Sequence, residues 1–340
     1  MTPLRACRFH ARVARCAAII VAGALAVAAA CHAGTIEHPA LSASVPSVQA
    51  TQVGHSRILS SKLIAPGLHE LVFSDGSTYR GTLRGTTFQG HGEFVSRSFR
   101  YEGDYRDGLR EGQGTYAWPN GDRYEGRFVA DQPDDLHGTY SFANGDRYEG
   151  EVRRGVLEGH GVYVGRAGDR YEGAFRDGEP DGIGTYRFVN GDRYDGEVAA
   201  GRIEGHGRYR TARGDVVEAT FSSGRARGIG RCVFASGDVY EGEFADGVAS
   251  GQGSFTYRSG LRYQGEVRDG APRGAGVVIF PDGRRFEGRF EGAIAGARGE
   301  LVLPSGERSP ARMVGDDPGA PLEDAPSGII PRSNPEASHG

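Results

Sequence analysis

A Tyr-Glu-Gly tripeptide, or a close copy, returns about every 23 residues along most of this chain. It starts at Tyr79 as Tyr-Arg-Gly and recurs at Tyr101, Tyr124, Tyr148, Tyr171 and Tyr194. It lapses at Val217 as Val-Glu-Ala, then resumes at Tyr240, Tyr263 and Phe286. Successive spacings are 22, 23 and 24 residues, then 23 to the end of the series. A fixed period of this size requires a stack of one small unit, in which each copy buries its apolar face against its neighbours. Such an array offers a long surface rather than a single catalytic pocket.

The unit itself reads as a β-hairpin. In residues 101–123, YEGDYRDGLREGQGTYAWPNGDR, two alternating segments are separated by Gly-containing turns. Strand side chains alternate faces, so Tyr101, Gly103 and Tyr105 point one way and Glu102 and Asp104 the other. Gly112, Gly114, Tyr116 and Trp118 share a face on the returning segment. Asn120-Gly121 is a strong two-residue hairpin signal, and Asp107-Gly108 marks the other turn. Hairpin following hairpin predicts an all-β fold: an elongated, single-layer antiparallel meander of about ten stacked hairpins. Twenty strands at about 4.8 Å give a rod of roughly 95 Å.

Stacking lines up apolar columns through the tripeptide tyrosines, through Tyr105, Phe128, Phe175, Phe221 and Phe290, and through Tyr116, Tyr140, Tyr186 and Leu301. Cross-strand pairs of this kind contribute roughly 0.2–1 kcal/mol each. The opposite face carries Arg123, Arg147, Arg170 and Arg193 beside Glu125, Glu149, Glu172 and Asp195, a pattern suited to a solvated surface.

The two ends are different in kind. Arg5, Arg8, Arg12 and Arg15 precede the apolar run AAIIVAGALAVAAA, which is too short for an ordinary membrane span and suits the core of an export signal over residues 1–33. Ala28-Ala29-Ala30 before Cys31 resembles a relaxed lipoprotein processing site, with Cys31 as the residue that would be lipidated and tether the chain to a membrane; plain cleavage nearby is the alternative. Residues 34–72 read as a flexible tether, residues 73–307 as the array, and the Pro-rich residues 308–340 as a disordered tail. Without residues 1–33 the chain keeps 36 basic against 44 acidic groups, a poor balance for binding nucleic acid or anionic lipid. Cys7 and Cys16 lie in the expected signal, which leaves Cys31 and Cys232, too few for a disulfide framework or a zinc site.

The pattern GDRYEGxF…GxGxY resembles the MORN (membrane occupation and recognition nexus) repeat, in the setting of an exported, bacterial-type protein. The resemblance implies twisted sheets of hairpins with aromatics along one side, and roles in scaffolding, protein association and self-association, with variable contact with phospholipids. Two repeats depart from the pattern. VADQPDDLH at residues 129–137 reads as a longer acidic loop, and Val217-Glu218-Ala219 puts Ala where Gly admits close packing; drift in a redundant array is the favoured reading of both.

Candidate chemistry is sparse. His91, His137, His160 and His206 recur in the Gly-x-Gly slot, but equivalent positions lie two strands, roughly 9.6 Å, apart, which is poor geometry for zinc. Asp131, Asp134 and Asp135 lack the ordered spacing of a calcium loop. No phosphate loop or nucleophile motif is present, and carboxylates copied ten times argue for structure rather than catalysis. The expectation is therefore a non-enzymatic, cofactor-free scaffold or protein-interaction protein of the periplasm or cell envelope. Its binding surface would be the aromatic face, with Tyr148, Tyr171, Phe175 and Tyr194 as contacts. The rungs at Phe286, Phe290 and Leu301 would form a self-association edge. The alternative is a ligand-binding module for membrane lipid or envelope glycan.

Overall fold

Most repeats pair a seven-residue strand carrying the tyrosine with a nine-residue return strand, as in Arg170–Arg176 and Glu179–Arg187. The computed structural model describes residues 57–314 and 323–324; the expected export signal, Cys31 and most of the Pro-rich tail lie outside them. Twenty-five strands form one antiparallel sheet, an elongated meander of consecutive hairpins as expected.

The two extra residues of the return strand force a bulge. Gly173 pairs with Gly184, and the next pair is Phe175 with Pro180, so Asp181–Ile183 crowd against Ala174. The same shift recurs at Gly103/Tyr105, Gly150/Val152, Gly196/Val198, Gly242/Phe244 and Gly265/Val267. A bulge bends its strand and increases the local twist. In the strand Thr87–Val95, the rings of Phe88 and Phe94 lie 6.2 Å apart, although six residues of straight strand span about 20 Å. The sheet therefore curls across its width, and the concave side closes over its own side chains.

That curl decides where the core sits. The tripeptide tyrosines are fully buried, and Phe128, Phe175, Phe221 and Phe290 pack edge-on against them. Each tyrosine ring lies across the glycine pair of its own hairpin. A Cβ on Gly173 would sit 2.6 Å from the Tyr171 hydroxyl and 2.5 Å from the Gly184 Cα. The hydroxyl then donates to the carbonyl three residues on, at the bulge: Tyr171 to Ala174 at 3.0 Å, Tyr148 to Glu151 at 2.7 Å, Tyr240 to Glu243 at 2.8 Å. Tyrosine rather than phenylalanine recurs because the bend needs this donor.

Two devices couple one hairpin to the next. The turn amide donates to a carbonyl 21 residues earlier, as from Gly178 to Leu157 and from Gly224 to Ile203. Where an Asp stands two residues before the tyrosine, it accepts from a backbone N–H of the following repeat: Asp122 from Ala143, Asp146 from Arg166, Asp192 from Ala212 and Asp238 from Arg258.

The ordered array is longer at both ends than the sequence period suggests. Ile58–Ala65 and Leu68–Phe73 are strands inside the stretch expected to be a tether. Leu71 and Phe73 are buried, and Leu71 pairs with Tyr79, continuing the apolar column without the tripeptide. At the far end Arg308–Arg312 pairs with Arg298–Val302, although it lies in the expected tail.

Residues 129–137 are not a loop. Ala130 and Asp131 make a tight turn at φ 47° and 71°, Gln132–Pro133 continues the sheet, and Asp135–Ser141 is the return strand. Val217-Glu218-Ala219 is a compensated change. Val217 and Ala219 are buried; with no tyrosine ring above it, the Ala219 methyl occupies part of the space the ring would fill, and the usual Gly–Gly pairing is absent from this rung.

Candidate interaction surface

The residues expected to bind a partner are inside the molecule. Tyr148, Tyr171 and Tyr194 have no exposed area and Phe175 is 4% exposed. Tyr148 meets Phe175 edge-on at 5.0 Å, across one repeat boundary. Strand alternation correctly puts them on one face, but the bulges fold that face inward, which corrects the expectation of an exposed aromatic row. Burial also raises the phenol pKa of these rings; Tyr79, Tyr171 and Tyr263 are each pushed up to about 12.

The proposed self-association edge is likewise no edge. Phe286 and Phe290 are buried, Leu301 is partly buried, and the strand Arg308–Arg312 closes over that rung. At the opposite end Ile58–Ala65 pairs on one side only among the described strands. It exposes Ile58, Leu59 and Leu63 at 40%, 56% and 61%.

The convex side is the accessible one. Its ridge is the x position of each Gly-x-Gly slot, where the turn of the bulge pushes the side chain out. His91, His137, His160 and His206 all stand exposed there; His91 meets Asp104 and His206 meets Thr220, each at 3.3 Å. Two x positions on either side of His206 are apolar, Ile183 at 68% exposed and Ile229 at 74%; Leu136, beside His137, is 68% exposed. Ile183 and Ile229 are two repeats apart, about 19 Å at four strand spacings. Along the ridge, Glu151, Glu197 and Glu243 accept from the N–H of His160, His206 and Gln252, satisfying bulge amides.

The expected charge ladder is in place beside this ridge. Arg123–Glu125, Arg147–Glu149, Arg170–Glu172 and Arg193–Asp195 are ion pairs between neighbours two apart on one strand. The hydrogen bond from Arg170 lowers the Glu172 carboxyl below its ordinary value, and that from Arg193 does the same for Asp195. Exposed pairs like these contribute little to stability. The Asp134–Asp135 segment lines a small cavity with Arg127, Arg153 and Glu158, while Asp131 is turned away from it into the interior.

One site was missed in the sequence. Arg110 has no exposed area and stands where other repeats carry Phe88, Leu157 or Ile203. Its backbone N–H and its Nε both donate to the buried Asp131 carboxylate at 3.0 Å. The guanidinium carbon lies 5.1–5.8 Å from the ring centres of Tyr116, Phe99, Tyr101 and Phe128. Asp131 occupies the second turn position, which is Gly108, Gly155 and Gly178 in other repeats. The signal was available as two rule-breaking residues 21 apart, the distance that links consecutive hairpins.

A curled stack of hairpins with a sealed aromatic interior and a repetitive outer surface is the architecture of a β-repeat interaction protein. The MORN repeat family model matches residues 101–123, 137–147, 148–170, 171–193, 194–216, 218–239, 240–262 and 263–284, and the chain belongs to the MORN repeat proteins. Modules of this family are generally protein or membrane interaction modules. No curated protein matches the sequence. Among solved structures, the SAS-4 TCP domain of Drosophila melanogaster, solved with a proline-rich motif of Ana2, is 15% identical. The match covers 58% of this chain and 83% of that one, with a TM-score of 0.21. A streptogramin B lyase matches at 11% identity, covering 66% and 82% with a TM-score of 0.14. Virginiamycin B lyase from Staphylococcus aureus matches at 9%, covering 76% and 88%, also with a TM-score of 0.14. Superpositions this poor carry no functional argument.

Proposed function

We propose that the chain is a non-enzymatic, exported interaction protein of the cell envelope, which binds a protein partner or a second copy of itself. The observation that carries this reading is the pair of apolar residues at one ridge position, Ile183 and Ile229, each at least two-thirds exposed. Scattered surface apolar residues are ordinary, but recurrence at one structural position two repeats apart is a pattern. The strand Ile58–Ala65, paired on one side only among the described residues, replaces the opposite end as the self-association edge, because an unpaired strand side offers backbone groups to a partner. The rival reading, a ligand-binding module for membrane lipid or envelope glycan, would use a surface other than the aromatic rows, which are buried.

The test is crosslinking of the intact protein in envelope fractions, comparing it with an Ile183→Asp/Ile229→Asp variant. Both side chains are exposed, so the variant keeps its strand signal and melting temperature. The expected result is loss of the crosslinked species. Unchanged crosslinking would show that the ridge is not the contact surface.

A further inference from the structure

The last hairpin gathers three arginines on the outer surface. Arg289, Arg298 and Arg312 lie directly opposite one another on three consecutive strands. Directly opposed residues share a face, with Cβ atoms about 4.5–5.5 Å apart, and like charges so placed destabilise a sheet. Arg170, Arg187, Arg193 and Arg210 also stand opposite one another, but there Arg170 and Arg193 are paired with Glu172 and Asp195. Among the described residues, none of the Arg289, Arg298 and Arg312 side chains makes an ion pair.

The earlier repeats show what has changed. The position three residues after the tyrosine is glutamate in four repeats, Glu151, Glu197, Glu243 and Glu266, of which the first three satisfy bulge amides, while Asp104, Arg127 and Ala174 hold it in others. The final hairpin pairs from Arg285–Val302 to Arg289–Arg298 without a register shift. With no bulge amide to satisfy, the glutamate has no structural task, and Arg289 stands in its place. The three arginines line an open cavity of about 690 Å³ with the small-residue segment 293–297. Glu291 also lines it, so three guanidinium groups there meet one carboxylate.

We propose that this triad is a binding site for a multivalent oxyanion, a phosphate or sulfate group, placed beyond the last matched repeat at residues 263–284. Guanidinium forks present paired donors that suit tetrahedral oxyanions, and a bound anion relieves the repulsion across the strands. The small-residue wall leaves room for the group that carries the anion.

The experiment titrates the full chain calorimetrically with pyrophosphate, and separately measures retention on phosphatidylcholine vesicles with and without phosphatidate. Arg298→Gln is compared with Arg147→Gln, a change at an arginine paired with Glu149. Both sites are exposed, and circular dichroism confirms that both variants fold. Saturable pyrophosphate binding that weakens about tenfold in Arg298→Gln and persists in Arg147→Gln supports the site with a free anion as its source. Phosphatidate-dependent retention with the same variant pattern supports it with a headgroup as its source. No saturable binding in either arm, or equal losses in the two variants, overturns the proposal. The Ile183→Asp/Ile229→Asp variant should bind as the parent does, so failure here and failure of the ridge are separately visible.

Discussion

The rung built on Tyr171 and the rung built on Val217 hold the same place in the sheet and fill it differently. In the first, the ring lies over Gly173 and Gly184, and its hydroxyl bonds the Ala174 carbonyl at the bend. In the second there is no ring and no hydroxyl. Ala219 takes the space, and a Cβ on Gly230 would meet the Ala219 Cβ at 2.8 Å rather than a phenol. The tyrosine and the glycine are thus one choice, not two. A repeat can lose both together and keep its strands, Val216–Ser222 and Arg225–Val233. It could not lose the glycine alone.

The broadest way to break this comparison is alkaline titration, since it acts on every tyrosine rung and spares the Val217 rung. Burial raises the folded-state pKa of Tyr79, Tyr171 and Tyr263 from 10.0 to about 12, so folding favours the neutral phenol. Stability from this source is complete below pH about 10 and is lost as pH rises from there through 12. Phenolate absorbance and loss of the strand signal should rise together. Phenols that ionise near pH 10 in a still-folded chain would place the rings outside. Next in size is Asp131→Ala, which leaves the Arg110 charge buried without its carboxylate and should cost about 3–5 kcal/mol in denaturant unfolding. A neutral result there would show that the pair is not closed in solution.

Smaller, and aimed directly at the two rungs, is Gly173→Ala. Overpacking against Tyr171 and Gly184 should cost about 1–3 kcal/mol. Adding Tyr171→Val should return part of that cost, giving a double-mutant coupling that distant sites do not show. Simple additivity would mean that the Val217 rung tolerates Ala219 for some other reason.

Much of the fold was legible because the period is strict and Asn-Gly and Asp-Gly turns set the hairpin boundaries. The direction of the aromatic face was not. Alternation treats Thr87–Val95 as straight, whereas the surplus residues of each return strand bend it until Phe88 and Phe94 meet. The same error exposed Tyr148 and Tyr194 on paper and hid the ridge of Ile183 and Ile229. Arg110 was overlooked because an arginine in a solvated-looking sequence draws no notice until its parity with Tyr116 is read together with Asp131. The end strands escaped because Leu71 and Ala311 continue the buried columns without any copy of the tripeptide.

The finest test separates the hydroxyls from the rings that carry them. Tyr171 and Tyr105 are both buried, and both would lose one oxygen on substitution by phenylalanine. The Tyr171 hydroxyl serves the bulge carbonyl at 3.0 Å, whereas the Tyr105 hydroxyl has no partner among the described residues. Tyr171→Phe should therefore cost about 0.5–1.5 kcal/mol, the net worth of a hydrogen bond together with a carbonyl left unserved. Tyr105→Phe removes an unpaired buried polar atom and should be neutral or stabilising. Equal effects in the two variants would remove the bend as the reason for tyrosine. The unequal pair would show that the recurrent residue is kept for one oxygen atom placed where the strand turns.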